Sequence, residues 1–213
     1  MTMKIGIMVA MDKEYALVEA LHSDDIILCK SGVGKVNAAA ATTRMIMESR
    51  PDCIISTGCA GGLAPNLNVM DVVISSQTCY HDVDCGEGFA PGQLMGMPER
   101  FDASASLYAK AMGLSAPAGS KILGGLICTG DAFCTRKEQT DAILERFPDA
   151  AAVDMESAAI AHVCSLYDIP FISFRIISDS ANGDAARINE YNDFWGEVAG
   201  RSFGIFEQFI ETL

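Results

Sequence analysis

The stretch over residues 153–182, VDMESAAIAHVCSLYDIPFISFRIISDSAN, limits the fold more than any other part of the chain. After Met155, residues Ala158, Ala159, His162, Val163 and Leu166 recur with a helical period and give one core-facing stripe. Asp168 and Pro170 end that helix. Residues 171–177 are nearly all apolar, as in a strand covered on both faces, and Arg175 breaks the run. The order is strand end, helix, tight turn, buried strand. In α/β sheets, ligands bind beyond the carboxyl ends of strands. Asp154-Met155-Glu156 and Ser178-Asp179 both fall at such ends, the latter followed by the loop formers Asn182 and Gly183. Two acids gathered there with a strand arginine suit a reaction centre. The same acids also suit plain helix capping, and this stretch alone leaves both readings open.

The rest of the chain alternates strand and helix patterns. Strands are predicted over residues 4–10, 26–30, 53–58, 72–78 and 122–129. Helices are predicted over 11–21, 36–47, 104–112, 137–147 and 191–210. Glu14 follows the first strand at a helix start. The fold class is therefore α/β, three layers with a central mixed, mostly parallel sheet, in one domain over residues 1–213. Residues 80–98 are irregular, with Gly86, Gly88, Pro91, Gly92 and Gly96, and a loop of this length is usually functional. Gly32-Val33-Gly34 opens like a dinucleotide fingerprint, but Asn37 stands at the third glycine position. Val36 after Gly34-Lys35 rules out a P-loop. The small residues from Thr57 to Gly62 suit a backbone that approaches a ligand closely.

Composition excludes several classes. A net charge of −13 over 213 residues argues against a nucleic-acid partner. No apolar run is long enough for a bilayer. The short apolar start, running into Asp12-Lys13-Glu14, reads as a first strand and not a secretory signal. The eight cysteines include no C-x-x-C pair, and Cys29, Cys53, Cys128 and Cys164 sit inside apolar patterns. These features predict a reduced, cytoplasmic protein without a metal site. His162 reads as a satisfied helix residue.

The segments SGVGKVNAA, STGCAGGLAPNLNVMDVVI, YHDVD, GLICTGDAF, AVDMESAAIAHVC and RIISD occur in this order. Together they resemble the methylthioadenosine/S-adenosylhomocysteine nucleosidases of the nucleoside phosphorylase superfamily, across almost the whole chain. The resemblance implies hydrolysis of an N-glycosidic bond in a small nucleoside, with no cofactor. Asp179 would be the general acid toward adenine N7, and Glu14 the base that activates water, with Arg175 beside the water. Glu156, with Met155, would clamp the ribose. Phe133 would stack on adenine while the Cys134 main chain reads its edge. Ala60, Gly61 and Ser178 would line the base pocket, and Met11 and Tyr191 the ribose and its 5′ group. Cys85, Phe89 and Met95 would enter a partner subunit's 5′ pocket, implying a homodimer.

The chain departs from the family pattern at Cys59, where many members carry Ser near the water, and in a shortened segment between Glu14 and Lys35. The latter implies the loss of about one hairpin at the sheet edge. Rival readings are a nucleosidase for another 5′-modified adenosine, a phosphorolytic enzyme of the same fold, and a non-catalytic nucleoside-binding protein.

Overall fold

A computed structural model describes residues 3–116, 118–179, 184–195 and 199–213, with 184–188 and 199–202 as backbone only. The strands are β1 (Ile5–Val9), β2 (Ile26–Lys30), β3 (Cys53–Gly62), β4 (Val72–Tyr80), β5 (Phe101–Asp102), β6 (Ile122–Thr129), β7 (Ala150–Asp154) and β8 (Phe171–Asp179). The helices are α1 (Asp12–Val18), α2 (Lys35–Ser49), α3 (Ala105–Met112), α4 (Lys137–Arg146), α5 (Ser157–Leu166), α6 (Asp184–Asp193) and α7 (Ala199–Glu211).

The strands form one mixed sheet in the order β2-β1-β3-β7-β6-β4-β5, with β8 paired to both β3 and β4. The β1 pairs to β2 and β3 are parallel, as are β3–β8, β4–β6 and β6–β7. The pairs β3–β7, β4–β5 and β4–β8 are antiparallel. These pairings run β3 to β8 to β4 to β6 to β7 and back to β3, so part of the sheet closes into a ring. Ala60, Val73, Ile127, Ala152 and Ile177, one from each of the five strands, pack together in one buried cluster. Small barrels are filled by side chains in this way.

Period-two alternation directs the two outer layers. In β1, Ile5, Ile7 and Val9 pack with Val18 of α1, Leu107 of α3 and Phe203, Phe206 and Phe209 of α7. Met8 joins Ala38, Ala41 and Met45 of α2 and the Ala158–Cys164 stripe of α5 in a separate cluster. The fold is thus α/β, with helices on both sides of the sheet.

Three boundaries differ from the sequence pattern. First, β3 runs on to Gly62, because Gly61 and Gly62 pair antiparallel with Val153 and Ala152 of β7. Second, β5 is only two residues and leaves no periodic trace. Third, the helix predicted over 191–210 begins earlier, with α6 from Asp184, and α7 covers Ala199–Glu211. Phe194, 1% exposed, joins the core of Phe203, Phe206 and Phe209. Asn182 and Gly183 lie outside the described residues. Strand β2 forms one edge of the sheet. No described helix is long and apolar enough to cross a membrane.

Candidate active site

One end of the closed ring opens into a cavity of about 330 Å³, within the range of small-molecule sites. Its walls come from strand ends and the turns that follow them. Met11 and Glu14 come from the start of α1, and Cys59, Ala60 and Gly61 from β3. Phe133 and Cys134 follow β6, Met155 and Glu156 follow β7, Ser178 and Asp179 end β8, and Tyr191 comes from α6. All these residues had been singled out from sequence. Ala10, Val33, Ala132, Val153 and Asp154 line the cavity too. Of these, Asp154 stands in the acidic cluster after the strand pattern, and the others sit in apolar or small-residue settings that carry no separate signal.

Glu14 is the third residue of α1 and is 2% exposed. As in a capping box, its carboxylate folds back on the helix start, with Ala10 N–H and Met11 N–H donating to Oε2 at 2.9 and 3.0 Å. Cys59 N–H donates to Oε1 at 3.0 Å. A carboxylate offers about four acceptor positions, so these amides leave room for a further donor. Gly58, with φ +145°, lies against this carboxylate. A Cβ there would stand 2.8 Å from Glu14 Cδ and 2.7 Å from Arg175 Nη1. Glu14 and Arg175 therefore meet across a residue that has to lack a side chain.

Arg175 does not line the cavity. It is 1% exposed and lies behind Gly58. Its Nε donates to Asp154 Oδ2 at 2.9 Å, and its Nη2 donates to Ser56 Oγ at 2.7 Å and Ser157 Oγ at 3.1 Å. Asp154 is the acid that caps α5, accepting Ser157 N–H on Oδ1 at 3.2 Å. Glu156 makes no such cap. It reaches across to Gly34, whose N–H donates to Oε1 at 2.9 Å. Burial first, then the charge of Asp154, pushes the Glu156 carboxyl up to about 7.

A bulge places the last acid. Ala60 pairs with Ile177 but Gly61 pairs with Asp179, so Ser178 is an extra residue on β8. Bulges re-aim side chains at sheet ends. Here Ser178 and Asp179 sit side by side on the cavity wall, with Ser178 Oγ donating to Asp179 Oδ1 at 2.9 Å. Asp179 is 3% exposed.

The aromatic side is more open. Phe133 is 48% exposed and meets Tyr191 edge to face at 5.1 Å. Tyr191 also donates to Met11 Sδ at 3.6 Å. Burial and then the charge of Glu14 raise the Cys59 thiol well above its usual range, so it stays protonated. Cys85, Phe89 and Met95 lie in the segment between β4 and β5 and do not line the cavity of their own chain. That segment is docked and not loose. Arg146 donates to the carbonyls of His81 and Val83 at 2.7 and 3.1 Å. Lys13, the cation beside Glu14 in sequence, stands 5.5 Å above the Trp195 ring. Among the described residues, no Lys or Arg lines the cavity, and no group of three or more His, Cys, Asp or Glu could hold a metal ion.

Known proteins match this arrangement over nearly its whole length. A family model described as the Phosphorylase superfamily matches residues 4–211. The 5′-methylthioadenosine/S-adenosylhomocysteine nucleosidase of Actinobacillus succinogenes is 40% identical over 203 residues, covering 86% of this chain and 88% of that protein. The protein of the same name from Shewanella pealeana is 43% identical over 204 residues, covering 86% and 89%. A solved nucleosidase from Neisseria meningitidis, in complex with methylthio-immucillin-A, superposes with a TM-score of 0.91 at 33% identity, covering 100% of both chains. One from Colwellia psychrerythraea, in complex with adenine, gives 0.86 at 32% identity, covering 96% of each chain. Motif order, ring topology and these similarities agree: the chain belongs to the 5′-methylthioadenosine/S-adenosylhomocysteine nucleosidases of the phosphorylase superfamily.

Proposed function

We propose that the protein hydrolyses the N-glycosidic bond of 5′-methylthioadenosine and S-adenosylhomocysteine, releasing adenine and the 5-thio-substituted ribose. The observation that carries this reading is the pair of buried carboxylates, Glu14 and Asp179, on one cavity that also holds Glu156 and an exposed Phe133 face. Adenine stacks on Phe133, with its edge read by the Cys134 main chain. Met11 and Tyr191 enclose the ribose, and Glu156 accepts its hydroxyls. Asp179 gives its proton to N7 as the C1′–N9 bond breaks, so the base leaves neutral. A water attacks C1′ and passes a proton to Glu14. Glu156, when ionised, faces the sugar cation and stabilises it. Two carboxyl groups with opposite proton tasks is the logic of inverting hydrolysis, applied to a nitrogen leaving group.

The nucleophile in this reading is water and not phosphate. A phosphate dianion needs several cationic donors beside the sugar. Here Arg175 spends Nε and Nη2 on Asp154, Ser56 and Ser157, and the carboxylate of Glu14 would repel an anion. Turnover of methylthioadenosine in phosphate-free buffer, with free adenine and free methylthioribose as products, tests this. A requirement for phosphate and a sugar 1-phosphate product would replace it with phosphorolysis.

The chain acts as one unit over residues 1–213, in the cytoplasm, and pairs as a homodimer. Cys85, Phe89 and the 72% exposed Met95 reach the partner's 5′ pocket. A fully active monomer in sedimentation would overturn the dimer.

A further inference from the structure

Asp154 is buried at the centre of a dense polar network, and the reaction steps above give it no role. Its side chain and that of Arg175 are each 1% exposed. Oδ2 accepts Arg175 Nε at 2.9 Å and also the hydroxyl of Ser157. Oδ1 accepts Thr129 Oγ1 at 2.6 Å, Ser157 N–H at 3.2 Å and Glu156 N–H at 3.3 Å. Thr129 in turn accepts Ala158 N–H at 2.9 Å, and Ser157 Oγ lies 2.6 Å from Ser173 Oγ. One carboxylate thus holds a guanidinium on one oxygen and the main chain of Glu156 on the other.

Stability does not account for this arrangement. Well-packed apolar residues in place of a buried ion pair are often neutral or better for the fold. The geometry does account for it. Nε and Nη2 of Arg175 are held from behind by Asp154, Ser157 and Ser56. The fork is planar and rigid, so clamping those two nitrogens sets where the third lies. Nη1 is the nitrogen beside Gly58, on the side where Glu14 lies. Meanwhile Asp154 Oδ1 holds the residue whose carboxylate crosses to Gly34.

We propose that Asp154 is a positioning residue for the hydrolysis: it aims Arg175 Nη1 at the Glu14 side of Gly58. The inference rests on the hydrolytic reading of the site.

The test is a double-mutant cycle of Asp154→Asn and Arg175→Met, with kcat and KM for methylthioadenosine measured at matched folded fraction. Asp154→Asn keeps the shape but sets an amide donor or a weaker acceptor against Arg175 Nε. Because small misplacement can cost about 10²-fold, kcat should fall by roughly 10–100-fold, with KM changing by about threefold or less. Leaving Arg175 buried without its partner is strongly destabilising, so the single variant can fail to fold. The double variant removes both charges of the buried pair together, which is the milder change for the fold. It should have the kcat of Arg175→Met alone, because Asp154 acts through the arginine. A folded Asp154→Asn with unchanged kcat would overturn the proposal. So would a double variant clearly slower than Arg175→Met, or a loss confined to melting temperature. If the unmodified protein released no adenine at all, the hydrolytic reading itself would fall, which is a different result from any of these.

Discussion

Replacing Gly58 by Ala tests the site at its tightest point. The new Cβ would stand 2.8 Å from Glu14 Cδ and 2.7 Å from Arg175 Nη1. Carbon–carbon contacts settle near 3.5–4.0 Å, so the carboxylate has to retreat by about 1 Å. It cannot do so and keep Cys59 N–H at 3.0 Å with Ala10 and Met11 N–H at 2.9 and 3.0 Å. A 1 Å displacement of a catalytic group costs about 10²-fold, or close to 3 kcal/mol of barrier. The backbone adds its own strain. At φ +145° an alanine is strained by roughly 1–3 kcal/mol. The expected outcome is a folded but less stable protein whose kcat for methylthioadenosine drops about 10²-fold, while KM changes far less. Adenine release at saturating substrate gives kcat, and calorimetry gives the loss of stability. A well-folded Gly58→Ala protein with kcat within about threefold of the parent would refute the assignment of Glu14 as the base.

Asp179→Asn removes the proton donor but keeps the shape, so turnover should fall ~10²–10⁴-fold with binding of a nucleoside analogue retained; near-normal adenine release would remove Asp179 from its role. Cys59→Ser should be nearly silent, within about threefold in kcat/KM, because Cys59 holds Glu14 through its main chain and its thiol stays protonated. Glu156 is raised from 4.5 to about 7, so the fold favours its protonated form. Its contribution to the stability of the empty protein is therefore fully present below 4.5 and lost as pH rises through about 7. Glu156→Gln should flatten that dependence in melting scans, and its adenine release should be slow at all pH.

Some of this was legible in sequence for a simple physical reason. A strand buried on both faces writes itself as an apolar run, and residues 171–177 mark all but the last two residues of β8. The acids at the ends of β7 and β8 stand out as well, either as a reaction centre or as helix caps. What remained open was which acid caps. Asp154 and Glu156 both sit at the start of α5, and only the folded chain divides the work: Asp154 takes the helix amides and the arginine, and Glu156 crosses to Gly34. Arg175 was read as reaching the site, but its burial behind Gly58 depends on Ser56 and Ser157, neither of which stands out in its own segment.

The bonds that assemble the cavity also have a consequence for how the chain acquires activity. Cys59 holds Glu14 across 45 positions of sequence, Ser56 holds Arg175 across 119, and Gly34 holds Glu156 across 122. Contacts this distant form late, because loop closure has to precede them. Helices regained early in refolding carry no turnover. Recovery of adenine release after dilution from denaturant should lag the far-ultraviolet helix signal and coincide with burial of the aromatic core.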